Sequence, residues 1–226
     1  MIPWLDLGTG LIPGGGELRL KRRGAEFSIR LGHNELMNSR LSGSEEAMAT
    51  LSAERLKGRK APHILIGGLG MGFTLRAALT AFGADAHITV SELVPAVVAW
   101  AHGPMAELFG DSLRDPRVRI AEGDVGELMA SAPACYDAIL LDVDNGPEGF
   151  TRKSNDRLYD THGIAQALAA LTTGGVLAVW SMGPDAAFAK RLKASGARVE
   201  EIGVKAHRGR SGTRHIIWLA MRNTHT

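Results

Sequence analysis

Residues 64–73 read ILIGGLGMGF, an apolar run that breaks into four glycines, Gly67, Gly68, Gly70 and Gly72, with the helix-forming stretch FTLRAALTAFG behind it. A strand, a bare loop and a helix in that order let backbone N–H groups and a helix N-terminus approach a polar ligand. The spacing is Gly68-x-Gly70-x-Gly72, and Phe73 stands where a dinucleotide fingerprint places its third glycine. No Gly-Lys-Ser/Thr follows, which excludes a phosphate-binding P-loop. The loop disfavours NAD without excluding it.

The same strand–helix alternation continues on the C-terminal side. HITVSE (87–92) leads into PAVVAWAHGPMAELFG, VRIAEG (118–123) into DVGELMASA, YDAILLDV (136–143) into DRLYDTHGIAQALAAL, and GVLAVWS (175–181) into PDAAFAKRLKASG. Two last strands, ARVEEIGVKAH and RHIIWLAMR, flank a basic loop and are expected to be antiparallel to each other. Five β-α units with apolar central strands predict a Rossmann-like, doubly wound α/β fold with a mostly parallel seven-stranded sheet. On the N-terminal side, SGSEEAMATLSAERL (42–56) predicts a helix opened by Ser42 and Glu45 at capping-box spacing. ELRLKRRGAEFSIRLG (17–32) alternates as two short strands turning at Arg23-Gly24, and residues 1–16, rich in Gly and Pro, read as a loose arm. The expected division is therefore 1–41, an arm with a short β-hairpin, and 42–226, one α/β domain.

Composition narrows the function classes. The chain has 226 residues, a net charge of +2 and one cysteine, Cys135. An internal disulfide is excluded, and a cytoplasmic setting is expected. No apolar run is long enough to span a bilayer, so no membrane partner is expected. The basic stretch HRGRSGTRH (207–215) carries Gly and Ser between its charges and reads as a solvated loop. With no aromatic platform beside it, a nucleic-acid partner is not expected. The eight histidines show no ligand spacing, so no metal is expected.

In parallel sheets of this kind ligands sit beyond the carboxyl ends of the strands. Acids stand at those ends. Glu92, some twenty residues past the glycine loop, suits ribose hydroxyls. Asp124 suits either a helix N-cap or an adenine amino group. Asp142 and Asp144 end the fourth strand, where the reactive end of a cofactor would lie. Trp180, ending the fifth, reads equally as pocket wall or core, whereas Trp100 reads as packing.

Taken in order, HILIGGLGMGFTLRAAL, SELVPAVV, EGDVGELM and YDAILLDVDNGPEG, with ELMNSRLSGSEEAMATL upstream, resemble the motifs of the spermidine synthase-like superfamily of class I S-adenosylmethionine-dependent transferases. The resemblance covers roughly residues 17 to 222. It implies that 42–226 is the transferase domain. It places Gly68, Gly70 and Gly72 along the methionine-like arm of S-adenosylmethionine or its decarboxylated form, Glu92 at the ribose and Asp124 at the adenine. Asp142 and Asp144 would face the sulfonium and the acceptor amine, with Asp144 the proton acceptor and Asp142 orienting the acceptor. Glu148 and Tyr159, together with Asp160, are candidates for substrate binding.

Two departures bear on the reaction. Aminopropyltransferases of this family usually read Gly-Gly-Gly-Asp-Gly-Gly in the first loop, and that aspartate suits the cationic amino end of the decarboxylated cofactor. Gly70 stands at the matching place. The family's Tyr-His-Glu run is replaced by SGSEEAM, in which Glu45 or Glu46 can stand in for the acid. On these grounds the sequence favours methyl transfer to a small amine-type acceptor. The alternatives are aminopropyl transfer of the spermidine synthase type and a non-catalytic cofactor-fold module. A homodimer is expected from the exposed edge of the N-terminal strands.

Overall fold

The computed structural model describes residues 2–40, 42–143, 156–206 and 214–223. Its main element is a seven-stranded sheet with strands β5 (His63–Gly67), β6 (His87–Glu92), β7 (Val118–Glu122), β8 (Tyr136–Leu141), β9 (Leu171–Ser181), β10 (Arg198–Lys205) and β11 (Arg214–Met221). The order across the sheet is β10-β11-β9-β8-β5-β6-β7. β5 to β9 run parallel, and β11 is antiparallel to both β9 and β10. The expected seven-stranded α/β fold and the final antiparallel pair are both present.

Alternation along each strand divides the core. Ile64, Ile66, Ala138, Leu140, Val176, Ala178, Trp180, Ile217 and Leu219 face one way. There they meet helices α1 (Gly43–Arg55), α2 (Phe73–Ala81) and α3 (Pro95–His102). Leu65, Ile139, Leu141, Leu177, Val179 and Trp218 face the other way. They are covered by α5 (Val125–Ser131), α7 (Thr161–Ala170) and α8 (Ala186–Ala194). Burial on both faces is why these strands read as unbroken apolar runs in sequence.

Several boundaries differ from the sequence reading. The helix expected over 95–110 breaks at Gly103-Pro104 into α3 and the short α4 (Ala106–Phe109), since Pro has no backbone N–H to donate to the turn before it. The helix expected over 156–171 divides into α6 (Asp156–Tyr159) and α7, because Asp160 acts as an N-cap and accepts from Gly163 N at 2.8 Å. The capping box at the start of α1 is not made. Ser42 donates instead to Glu46 Oε1 at 3.0 Å, and Glu45 turns inward.

The N-terminal region is larger than the expected arm and hairpin. Four antiparallel strands, β1 (Leu5–Leu11), β2 (Glu17–Arg23), β3 (Glu26–Leu31) and β4 (Asn34–Asn38), form a second sheet in sequential order. The Gly/Pro-rich composition of residues 1–16 hides β1. Its Gly10 lies so close to α3 that an added Cβ would sit 2.3 Å from that of Ala96, so glycine here marks close packing, not looseness. Leu18, Leu20, Phe27 and Ile29 of this sheet belong to the same core as α1 and α3.

Candidate active site

One cavity opens beyond the carboxyl ends of β5 to β8. Gly68 and Gly70 form one wall. Ser91, Glu92 and Val94 form the next, Gly123 and Asp124 a third, and Asp142 and Val143 close the far end. Leu18, Ile29, Leu36 and Met37 of the N-terminal sheet roof it with apolar surface. The structure thus brings together Gly68, Gly70, Glu92, Asp124 and Asp142 from four successive loops.

Each loop explains its own residue. Gly68 has φ +94°, and an added Cβ would stand 2.5 Å from the carbonyl oxygen of Asp142, so only glycine lets the β5 and β8 loops touch. Gly72 does not line the cavity. It is the left-handed N-cap of α2, packed onto the ring of Phe109. Glu92 is buried, with Oε2 accepting from Leu69 N and Oε1 from Val94 N, both at 2.9 Å. A carboxylate has about four acceptor positions, and these two bonds fix its plane at the cavity wall. Asp124 caps α5 through Oδ1, which accepts from Gly126 N at 2.7 Å, and it lines the cavity as well. The two roles read from sequence are compatible.

Asp142 is held differently. It lies two residues beyond Leu140 on the same side of β8, which turns it toward α1 and α2. Thr74 Oγ1, in the first turn of α2, donates to its Oδ2 at 2.6 Å. Burial, and then the charge of Glu45, push its pKa up to about 7 against the opposing effect of the Thr74 bond. Burial also raises the pKa of Glu45, and the neighbouring charge of Glu46 adds to that. Among the described residues neither Glu45 nor Asp142 has a cationic partner within ion-pair distance.

Other expected residues fall elsewhere. Asp144 and Glu148 lie outside the described residues, as does the loop 207–213. Tyr159 stands behind the Asp142 turn and not on the cavity wall. Its hydroxyl donates to Val143 O at 3.4 Å, and its ring packs edge-on against Phe188. Asp160 is spent on the α7 cap. Trp180 is core, edge-on to His215 at 4.9 Å, and Trp100 packs as expected. Cys135 is exposed. Thr74, Ser44 and His215 were not legible as site residues, although RHIIWLAM alternates and puts His215 on the inward parity of Ile217 and Leu219. Among the described residues no group of three His, Cys, Asp or Glu side chains could hold a metal ion, and no helix is long and apolar enough to cross a membrane.

No protein-family model matches the chain. A polyamine aminopropyltransferase of Mycobacterium tuberculosis (strain CDC 1551 / Oshkosh) is 31% identical over 127 residues, which are 55% of this chain and 23% of that protein. The matched region is thus less than a quarter of the relative's length. In structure the chain is similar to the spermidine synthase from Thermotoga maritima, with TM-score 0.76 and 15% identity, over 97% of this chain and 73% of that one. It is also similar to a probable spermidine synthase from Corynebacterium glutamicum ATCC 13032, with TM-score 0.61 and 17% identity, over 98% of this chain and 80% of that one. At such identities the solved structures show a shared fold. Sequence and fold together support the resemblance to the spermidine synthase-like superfamily.

These relatives overturn the expectation of methyl transfer, and with it the classification as a methyltransferase. The sequence match is to an aminopropyltransferase and the fold matches are to spermidine synthases. The expectation rested on Gly70 and on the replacement of the Tyr-His-Glu run by SGSEEAM, but the first loop is not the only element that can bring a carboxylate near this end of the cavity. Glu45 on α1 does not line the cavity, but its charge acts on Asp142, which does.

Proposed function

We propose that the chain is an aminopropyltransferase of the spermidine synthase type. It takes the aminopropyl group from decarboxylated S-adenosylmethionine and passes it to a primary amine of a small diamine or polyamine. The observation that carries this reading is Asp142, a carboxyl at the end of the cavity whose pKa is raised to about 7 by burial and by the charge of a second carboxyl, Glu45, with no cation within ion-pair distance of either among the described residues. Like charges held together out of water disfavour ionisation of both, and a cationic ligand placed between them reverses that. An amine-bearing donor and an amine acceptor both fit such an end.

On this reading Glu92 accepts from the ribose hydroxyls, Asp124 accepts from the adenine amino group, and the glycines of the first loop flank the aminopropyl arm. The donor, when bound, supplies a carbon on positively charged sulfur, a bond that needs no metal to break. The protein's share is geometry and a proton. Holding the acceptor in line contributes roughly 7–11 kcal/mol. The acceptor arrives as an ammonium, and freeing its lone pair at pH 7 costs about 4 kcal/mol. A carboxylate does not lower that cost through charge, since it stabilises the ammonium. It helps as a positioned acceptor whose pKa lies near the working pH, which Asp142 satisfies. Asp144 keeps its expected place in this scheme as a second proton acceptor, and Glu148 as a contact to the acceptor amine. A cytoplasmic homodimer completes the reading. It draws on the single cysteine and on the exposed Leu5 and Leu11 of edge strand β1.

The test is turnover. Incubation with decarboxylated S-adenosylmethionine and a series of linear diamines and triamines is expected to release methylthioadenosine and an amine heavier by one aminopropyl unit, read by mass spectrometry. A donor that binds, with no product from any amine in the series, would overturn the reading.

A further inference from the structure

Ser44, Glu45 and His215 form a chain of contacts that leads from the end of the sheet to a carboxyl whose charge acts on Asp142 of the cavity wall. Ser44 Oγ donates to Glu45 Oε2 at 2.7 Å. The same Oγ lies 2.9 Å from His215 Nδ1 on β11. A hydroxyl has one hydrogen to give, so with Glu45 ionised His215 Nδ1 carries the proton and donates to Ser44. Ser44 and His215 are both buried, and burial lowers the pKa of His215, which keeps its ring neutral. Trp180 packs edge-on over that ring.

The start of α1 is pinned in the same place. Gly43 N donates to Ala206 O at 3.2 Å, and a Cβ on Gly43 would lie 2.9 Å from the carbonyl oxygen of Lys205. The ends of β10 and β11 therefore fix where Glu45 points. Opposite, Gly70 faces only the thioether of Met37, so the first loop brings no charge to this end. Among the described residues, the charged and titratable groups around Glu45 are Asp142 after β8, Glu46 on its own helix, His215 on β11, and Arg76 on α2, whose charge is drawn to Glu46.

Resting on the proposed reaction, we infer that Glu45 is the carboxylate that binds the amino end of the aminopropyl donor, taking over from α1 the charge that the first glycine loop lacks, and that Ser44 and His215 are positioning residues for it. Substrate preference at this end is then set by a side chain 25 residues upstream of the loop where the sequence signature looks for it.

Two neutral-sulfur probes test this in calorimetric titration. Methylthioadenosine has the nucleoside and no amine, and S-adenosyl-3-thiopropylamine adds the aminoalkyl arm. Glu45→Gln is expected to weaken binding of the amine probe about tenfold or more, the value of one charge-assisted hydrogen bond, with methylthioadenosine affinity unchanged. Ser44→Ala and His215→Ala are expected to weaken the amine probe by smaller factors and to move the pH profile of its binding. His215→Asn, which keeps a donor near the Nδ1 position, is expected to restore both. If Glu45→Gln binds both probes as the parent does, the inference is overturned and the proposed reaction stands. If His215→Ala leaves the amine probe and its pH profile unmoved, the positioning role is overturned. If the parent protein binds neither probe, the inference and the proposed reaction fall together.

Discussion

The two ends of the cavity are built on different plans. At one end Glu92 and Asp124 are tied to backbone N–H groups of their own or adjoining loops, over 23 residues or fewer. At the other, Asp142 and the Glu45 whose charge acts on it from α1 are tied to side chains, Asp142 to Thr74 across 68 residues and Glu45 to Ser44, which meets His215 across 171 residues. The first end is held by local backbone and varies little with the state of the ligand. The second is held by hydroxyls and a ring, and its carboxyls sit where protonation depends on what lies between them. A rigid end suits recognition of a nucleoside, and a responsive end suits a reacting amine.

Substitutions can break this contrast. The largest effect is expected from Asp142→Asn. Under the proposed reaction it removes one of the two proton acceptors, the one whose pKa lies near the working pH, and should lower kcat roughly 10²- to 10³-fold, with a smaller change in donor KM. Retention of most of the parent kcat would make the two ends equivalent. Glu92→Gln should give the opposite split. Its amide N–H₂ would face one of the two backbone donors, and donor KM is expected to rise about 10- to 100-fold while kcat stays within a few-fold.

The contrast also explains what could be read in advance. Glu92 and Asp124 were legible because strand, loop and acid follow one another in the chain, so periodicity alone places them. The parallel sheet was legible for the same reason. Glu45 was visible as a helix-capping residue and, with Glu46, as a stand-in for the missing acid, but nothing in SGSEEAM says that the box stays unmade and that Glu45 is the one that turns inward. His215 looked like part of a basic loop because its neighbours in sequence are charged, and its burial is decided by α1, 171 residues away. β1 was missed because glycines that permit close approach to α3 look like those of a loose arm.

A smaller effect is expected from the loop glycines. Gly68→Ala combines a left-handed φ with a clash against the backbone of Asp142. It should cost about 1–2 kcal/mol, and at 2–4 °C per kcal/mol for a chain of this size the melting temperature should fall by about 2–8 °C. Gly70→Ala, whose neighbour is the flexible Met37 thioether at 3.1 Å, should cost less. Equal losses at both positions would show that φ alone governs them.

The smallest effect, and the sharpest, is in pH. Asp142 has its folded pKa raised to about 7 from an ordinary value of 3.8. Below 3.8 both folded and unfolded chains hold the proton, and between the two values only the folded chain does. The contribution of this carboxyl to stability is therefore lost as pH rises through about 7, and Glu45 is shifted in the same direction. The ligand-free parent should gain melting temperature relative to Asp142→Asn when pH is lowered from 8 to 5. A difference that does not vary with pH would mean the carboxyl is not buried against its neighbour.

The contact between Ser44 and His215 also sets a condition on how the molecule is made. A chain emerging from the ribosome can pair β5 with β6 and bind α2 to them long before β11 exists, but α1 has no seat for its first turn until β11 has entered the sheet. Joining residues 171 apart is slow, because loop closure must precede the contacts that reward it. The end of the cavity lined by Glu92 and Asp124 can therefore form in a partial product, while the seating of Glu45 waits for nearly the last strand. Competence is gained in one late step, and a nascent or truncated chain that lacks β11 holds Glu45 in no fixed place.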